Sequence, residues 1–137
     1  MIRLANEDDK EEIVSLLQDV FSEPPFNEKE SLESIRKSVE FYFRIGNFFV
    51  FCENEILGLI IFKVEQWWEG PVVIIEDLAV KRRSEGIGTA LMQKVEKYAR
   101  QISAESISLC TKKEVVPFYI KQDYQEEDTV CLKKKLR

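Results

Sequence analysis

The chain of 137 residues fits a single domain, and 45% hydrophobic residues with nine Phe supply a core and exclude a disordered chain. A net charge of −5 excludes a general nucleic-acid binder, and the longest apolar run, Ile56 to Phe62, is far too short to span a bilayer. Three cysteines without metal-ligand spacing, no histidine, and an acidic N-terminus without an apolar h-region predict no metal, no imidazole-activated Cys nucleophile, and a cytoplasmic protein with reduced, buried thiols.

Ile2 to Leu4 read as a short strand. Asn6 can cap a helix carrying Ile13, Leu16, Leu17, Val20 and Phe21 on one face, with Glu7, Asp8 and Asp9 at its positive end. Ser22-Glu23-Pro24-Pro25-Phe26 stops it. Asn27 then reads as the cap of a second helix, with Leu32, Ile35, Val39 and Tyr42 or Phe43 as its apolar stripe, ended by Gly46-Asn47. Phe48 to Cys52 and Ile56 to Gln66 read as a hairpin about Glu53-Asn54-Glu55. Trp67 to Pro71 is a second turn leading into a strand over Val72 to Val80. A helix follows from Gly86 to about Ser103, then a strand over Ser106 to Cys110, parallel to Val72–Val80 through the crossover helix. Val115 to Gln122 read as a short helix with Pro117 in its first turn, and Thr129 to Leu136 as a closing strand with Lys133 and Lys135 on a solvated side. The fold class is α/β of the α+β type: a mixed, mostly antiparallel central sheet flanked by helices, in one domain over residues 1–137.

The most informative stretch is Val72 to Leu91. An apolar, β-branched strand feeds a basic turn with Gly86 and Gly88, and the turn opens a helix. Free backbone N–H groups at a helix start, the helix dipole, and Arg82 and Arg83 together suit a phosphate or pyrophosphate. The dinucleotide pattern G-x-G-x-x-G fails, because Leu91 stands at the third glycine, and G-x-x-x-x-G-K-[ST] is absent. What remains, Arg83-x-x-Gly86-x-Gly88 directly after Asp77-Leu78-Ala79-Val80, resembles the acyl-CoA-binding motif of the GCN5-related N-acetyltransferases. Phe118-Tyr119-Ile120-Lys121-Gln122-Asp123-Tyr124 is similar to that family's Phe-Tyr-x-Lys-x-Gly-Phe segment, with Asp123 in place of Gly. Lys112 stands where many members carry Asn. The order of elements resembles the family's fold over essentially the whole chain.

The resemblance implies acetyl-CoA as co-substrate and a primary amine as acceptor. It implies that the N–H groups of Ser84, Glu85, Gly86, Ile87, Gly88 and Thr89 cradle the pyrophosphate beside Arg83, and that the backbone of Leu78, Ala79 and Val80 pairs with the pantetheine arm. It implies that the Tyr119 hydroxyl acts as general acid toward the departing thiolate, the favoured reading, with a core aromatic beside Phe118 as its alternative. Strand alternation puts Glu76 and Asp77 on opposite faces. Glu76 is the favoured base, with orientation of the amine as its alternative, and Asp77 joins the acceptor site. Phe26, Trp67 and Trp68, near Glu23 and Glu69, offer aromatic faces and acids to a small cationic amine, although the two Trp would equally cover a sheet edge. The rival readings are a catalytically silent acyl-CoA sensor or protein-interaction module of this fold, and a transferase acting on protein or peptide amines. A homodimer is compatible with either.

Overall fold

The computed structural model describes residues 1–81 and 85–137. Its elements are β1 (Ile2–Leu4), α1 (Lys10–Ser22), α2 (Leu32–Ile45), β2 (Asn47–Cys52), β3 (Ile56–Trp67), β4 (Gly70–Val80), α3 (Ile87–Gln101), β5 (Ser106–Leu109) and α4 (Val116–Ile120). Among the described residues five strands form one sheet in the order β1-β2-β3-β4-β5. Every pairing is antiparallel except β4 with β5, which is parallel. That exception follows from α3, which carries the chain back across the sheet before β5 begins.

Each face of the sheet buries its own core. Ile13, Val14, Leu16 and Leu17 of α1 and Val39 of α2 pack on Val50, Leu59, Ile61 and Ala79. On the other face Leu91, Met92 and Val95 of α3 pack on Ile60, Phe62, Val73 and Ile75. This two-sided burial explains why Ile56 to Phe62 reads as an unbroken apolar run: alternate residues serve opposite cores.

Local chemistry fixes the starts of the first helices. The Asn6 side chain accepts from the Asp8 N–H, and the Asp9 carboxylate accepts from the Asn6 N–H at 2.8 Å, which closes a capping box ahead of α1. Asp9 also accepts two hydrogen bonds from the Arg3 guanidinium of β1, at 2.7 and 3.0 Å, and this pairing, with the Asn6 N–H assisting, holds its carboxyl below the usual range against the opposing effect of burial. Glu12 accepts from the Ile56 N–H at 2.6 Å and ties α1 to the start of β3.

Three expectations need correction. The cap of α2 is Ser31, whose hydroxyl accepts from the Ser34 N–H, and not Asn27. The Glu28 N–H donates to Phe21 O at 2.7 Å, so the loop first folds back on α1, and Asn27 takes a left-handed φ of 52° to allow it. The hairpin after Gln66 is tighter than the Trp67–Pro71 turn: Trp67 pairs with Gly70, leaving Trp68 and Glu69 as its loop. The closing strand over Thr129 to Leu136 is absent among the described residues, and Val130, Leu132 and Leu136 are exposed. A short Lys-rich segment does not hold as a strand where no neighbour among the described residues completes its hydrogen bonds.

Candidate active site

The site starts where β4 and β5 part. Their register runs from Val72 with Ser106 to Ile75 with Leu109 and ends there, while β3 continues to pair with β4 up to Val80. The β4 edge from Glu76 to Val80 therefore lacks a strand on its β5 side. A cavity of about 790 Å³ opens in that gap. Leu78 and Val80 line one wall, and Cys110 and Lys112 after β5 line the other. Pro25, Phe26 and Glu28 from the α1–α2 loop and Tyr119 of α4 close its inner end.

The start of α3 forms the outer end, with Gly86, Ile87, Gly88 and Thr89 on the cavity. Gly86 caps the helix in a left-handed conformation, φ 77°, and among the described residues a Cβ there would meet nothing within 4 Å. The first intrahelical bond is Ala90 N–H to Gly86 O, so the N–H groups of residues 87–89 have no acceptor inside the helix. Among the described residues no side chain caps this start and no acid lies in the first turn of α3, which leaves the positive end of a 15-residue helix facing the cavity. Gly88 has a different reason to be glycine: a Cβ there would lie 3.2 Å from the Phe118 ring, so its absence lets α4 pack against α3. A chain of amides ending in a pyrophosphate fits these parts, with the unpaired β4 edge for the amides and the α3 start for the phosphates.

Glu76 and Asp77 share one face of the sheet, contrary to strict alternation. The register slips between Ile61, which pairs with Asp77, and Phe62, which pairs with Ile75, so Glu76 is an extra residue in β4. Before this bulge Val73 and Ile75 face α3, and after it Leu78 and Val80 do, which turns both acids to the α1–α2 side. Glu76 is held there by Lys63 at 3.0 Å and by the Tyr42 hydroxyl, which donates to it at 3.3 Å. Burial raises the Asp77 carboxyl to about 6, and the nearby charges of Glu76 and Glu28 push in the same direction. Tyr119 lies between the rings of Phe118 and Tyr124, and burial, with the Asp77 charge second, pushes its hydroxyl up to about 12.

The structure gathers most of the expected residues and excludes some. Leu78, Val80, Gly86, Ile87, Gly88, Thr89, Phe26, Glu76, Asp77 and Tyr119 all reach one cavity. Ala79 points its side chain into the α1–α2 core, so it can serve only through its backbone. Glu85 is exposed and does not line the cavity. Arg83 and Ser84 lie outside the described residues. Trp67 and Trp68 do not belong to the site: β4 runs unbroken from Gly70 to Asp77, roughly 23 Å of strand. That length carries both Trp to the far tip of the sheet, where the Trp67 indole N–H donates to Glu65 and Trp68 is fully exposed. Sequence reasoning missed Lys63, Glu28 and the Tyr42 hydroxyl. The signal for Lys63 was a lone cation closing an apolar strand, opposite a strand with its own acids.

The model of the acetyltransferase (GNAT) family matches residues 10–124, and the chain belongs to that family. No curated protein matches it. Solved structures share the fold at low identity. A possible acetyltransferase from Clostridium difficile 630 superposes with a TM-score of 0.88 at 18% identity, covering 100% of this chain and 97% of its own. A Trypanosoma brucei acetyltransferase gives 0.78 at 22%, covering 98% and 99%. An aminoglycoside acetyltransferase from an uncultured soil metagenomic sample, in complex with sisomicin, gives 0.75 at 22%, covering 100% and 96%. Among the described residues no group of His, Cys, Asp or Glu is placed to hold a metal ion, and no helix is long and apolar enough to cross a membrane.

Proposed function

We propose that the protein is an N-acetyltransferase that moves the acetyl group of acetyl-CoA to the primary amine of a small cationic molecule. The observation that carries this reading is the parting of β4 from β5 after Ile75 and Leu109, which joins the α3 start to the Asp77–Tyr119 pair through one cavity. In it the pyrophosphate rests on the N–H groups of residues 87–89 and the pantetheine arm lies along the β4 edge from Glu76 to Val80. The thioester then reaches Tyr119.

The acids supply the amine side. An alkylammonium is attracted by Glu28, Glu76 and Asp77 on the cavity wall. Asp77 acts as the base. A carboxyl near 6 is ionised at neutral pH yet basic enough to take a proton from the bound ammonium as the nitrogen attacks the thioester carbon. Glu76, fixed by Lys63 and Tyr42, orients the amine and keeps Asp77 basic. As the carbon–sulfur bond breaks, the nitrogen's second proton passes to water, and the sulfur leaves as a thiolate to which Tyr119 donates a hydrogen bond. A phenol near 12 holds its proton more tightly than a thiol of roughly 8.5 does. The tyrosine therefore stabilises the leaving sulfur without surrendering its proton outright.

The likeness to an aminoglycoside acetyltransferase bound to sisomicin supports a small amine as acceptor. The test is incubation with acetyl-CoA and a panel of primary amines, following free thiol. Amine-dependent thiol release with small cations is expected. Tight acetyl-CoA binding without turnover across the panel would replace the enzyme reading with that of an acyl-CoA sensor.

A further inference from the structure

Cys110 directly follows β5 and stands on the cavity wall. Its Sγ lies 3.7 Å from that of Cys131. Both thiols are exposed, whereas Cys52 is half-buried, so the expectation of buried thiols fails at these two positions. Neither the cores nor the transfer chemistry uses the pair. The segment that carries Cys131, residues 125–137, has no regular secondary structure, and among the described residues no backbone hydrogen bond ties it to the sheet. Closing the sulfurs to a bond length of about 2.05 Å asks for a shift of about 1.7 Å, and a segment without backbone tethers can supply it.

We propose that Cys110 and Cys131 form a dithiol–disulfide site, oxidised by low-molecular-weight disulfides, that fastens the C-terminal segment to the cavity rim. One cysteine thiolate attacks a sulfur of the small disulfide, and a protein mixed disulfide forms as the first small thiolate leaves. The second cysteine thiolate attacks the protein sulfur of that mixed disulfide and expels the second small thiolate. The protein pair loses two electrons and two protons, and the small disulfide gains both as two thiols. Oxidation closes a covalent ring from Cys110 to Cys131 that includes α4 and Tyr119, and it adds a fixed neighbour to the cavity wall.

The test uses the full chain, reduced and desalted, with glutathione disulfide as the probe, followed by alkylation, intact mass and peptide mapping. The expected product is a monomer lighter by two hydrogens, with one alkylated cysteine, Cys52, and a cross-linked peptide pair holding Cys110 and Cys131. Cys131→Ser, at an exposed position, should leave a stable glutathione adduct on Cys110, and Cys52→Ser should cross-link like the parent. Full alkylation of all three cysteines after treatment would overturn the proposal. So would stable adducts on both Cys110 and Cys131 without a bond between them, a bond between two chains, or one that uses Cys52. The readout needs neither acetyl-CoA nor an amine, so it stands or falls apart from the acetyltransferase reading.

Discussion

The two halves of β4 show what one strand can be made to do. Val72 to Ile75 is clamped between β3 and β5, and three of its four side chains are buried. Glu76 to Val80 keeps the β3 partner, loses the β5 partner and opens with two acids. The change falls at the bulge, where one extra residue turns both acids toward the same helices. The clamped half is ordinary core. The open half offers main-chain donors and acceptors to an extended ligand, and its Asp77 carboxylate sits where burial raises its basicity. The contrast teaches that the site is made by withholding pairing from a strand whose remaining contacts keep it rigid.

Variants that line the cavity beside the open half should cost activity, and variants away from the cavity should cost stability or nothing. The largest effect is expected from Tyr119→Phe, which keeps the ring packing. Its kcat should fall by about 10²–10³, the scale of one donor to a developing anion, with acetyl-CoA affinity by calorimetry unchanged. Gly86→Glu places a carboxylate at the open, left-handed start of α3. Acetyl-CoA binding should weaken by about a hundredfold, near 2.7 kcal/mol, and an unchanged affinity would remove the phosphate assignment. Asp9→Ala lies far from the cavity. It should lower unfolding free energy by about 1–3 kcal/mol through the lost Arg3 pair and capping bond, with kcat/KM per folded molecule intact. Because the Asp9 carboxyl is lower in the folded chain, its contribution is complete above a pH of about 4 and fades as pH falls through the folded value. Glu76→Gln removes one of the charges that raise Asp77, so the ascending limb of the pH–rate profile should move to lower pH. It should stay above the usual carboxylate range, because burial, the larger cause, remains. Trp68→Ala, at the exposed tip, should leave KM for the amine within about twofold, since a surface change away from other features is worth about 0.5 kcal/mol or less.

Much of this was legible because local chemistry and global packing agree. The Asn6–Asp9 capping box, the α1 stripe and the helix after Gly86 all follow from residue spacing. The two glycines located the α3 end of the cavity, although only Gly86 owes its identity to backbone conformation and Gly88 answers to Phe118. Alternation placed Glu76 and Asp77 wrongly, because a bulge has no signature in residue types alone. Trp67 and Trp68 misled for a related reason: adjacency to β4 in sequence says nothing about which end of a long strand a turn occupies. The Lys63–Glu76–Tyr42 contacts and the Cys110–Cys131 approach join residues from separate elements, and only the folded chain brings them together.

The central claim is that Asp77, made basic by enclosure in the open half of β4, takes a proton from a bound ammonium. The most direct test is amine-dependent thiol release at saturating acetyl-CoA, followed as kcat/KM for the amine from pH 5 to 9 in the parent and in Asp77→Asn. A base of this kind predicts a rise through a pH of about 6 and a plateau above it in the parent. Asp77→Asn should lose that limb and climb about tenfold per pH unit toward the amine's own pKa of about 10, because only amine already neutral in water can then react. A parent profile that climbs the same way, or an Asp77→Asn profile that keeps the limb near 6, would contradict the account.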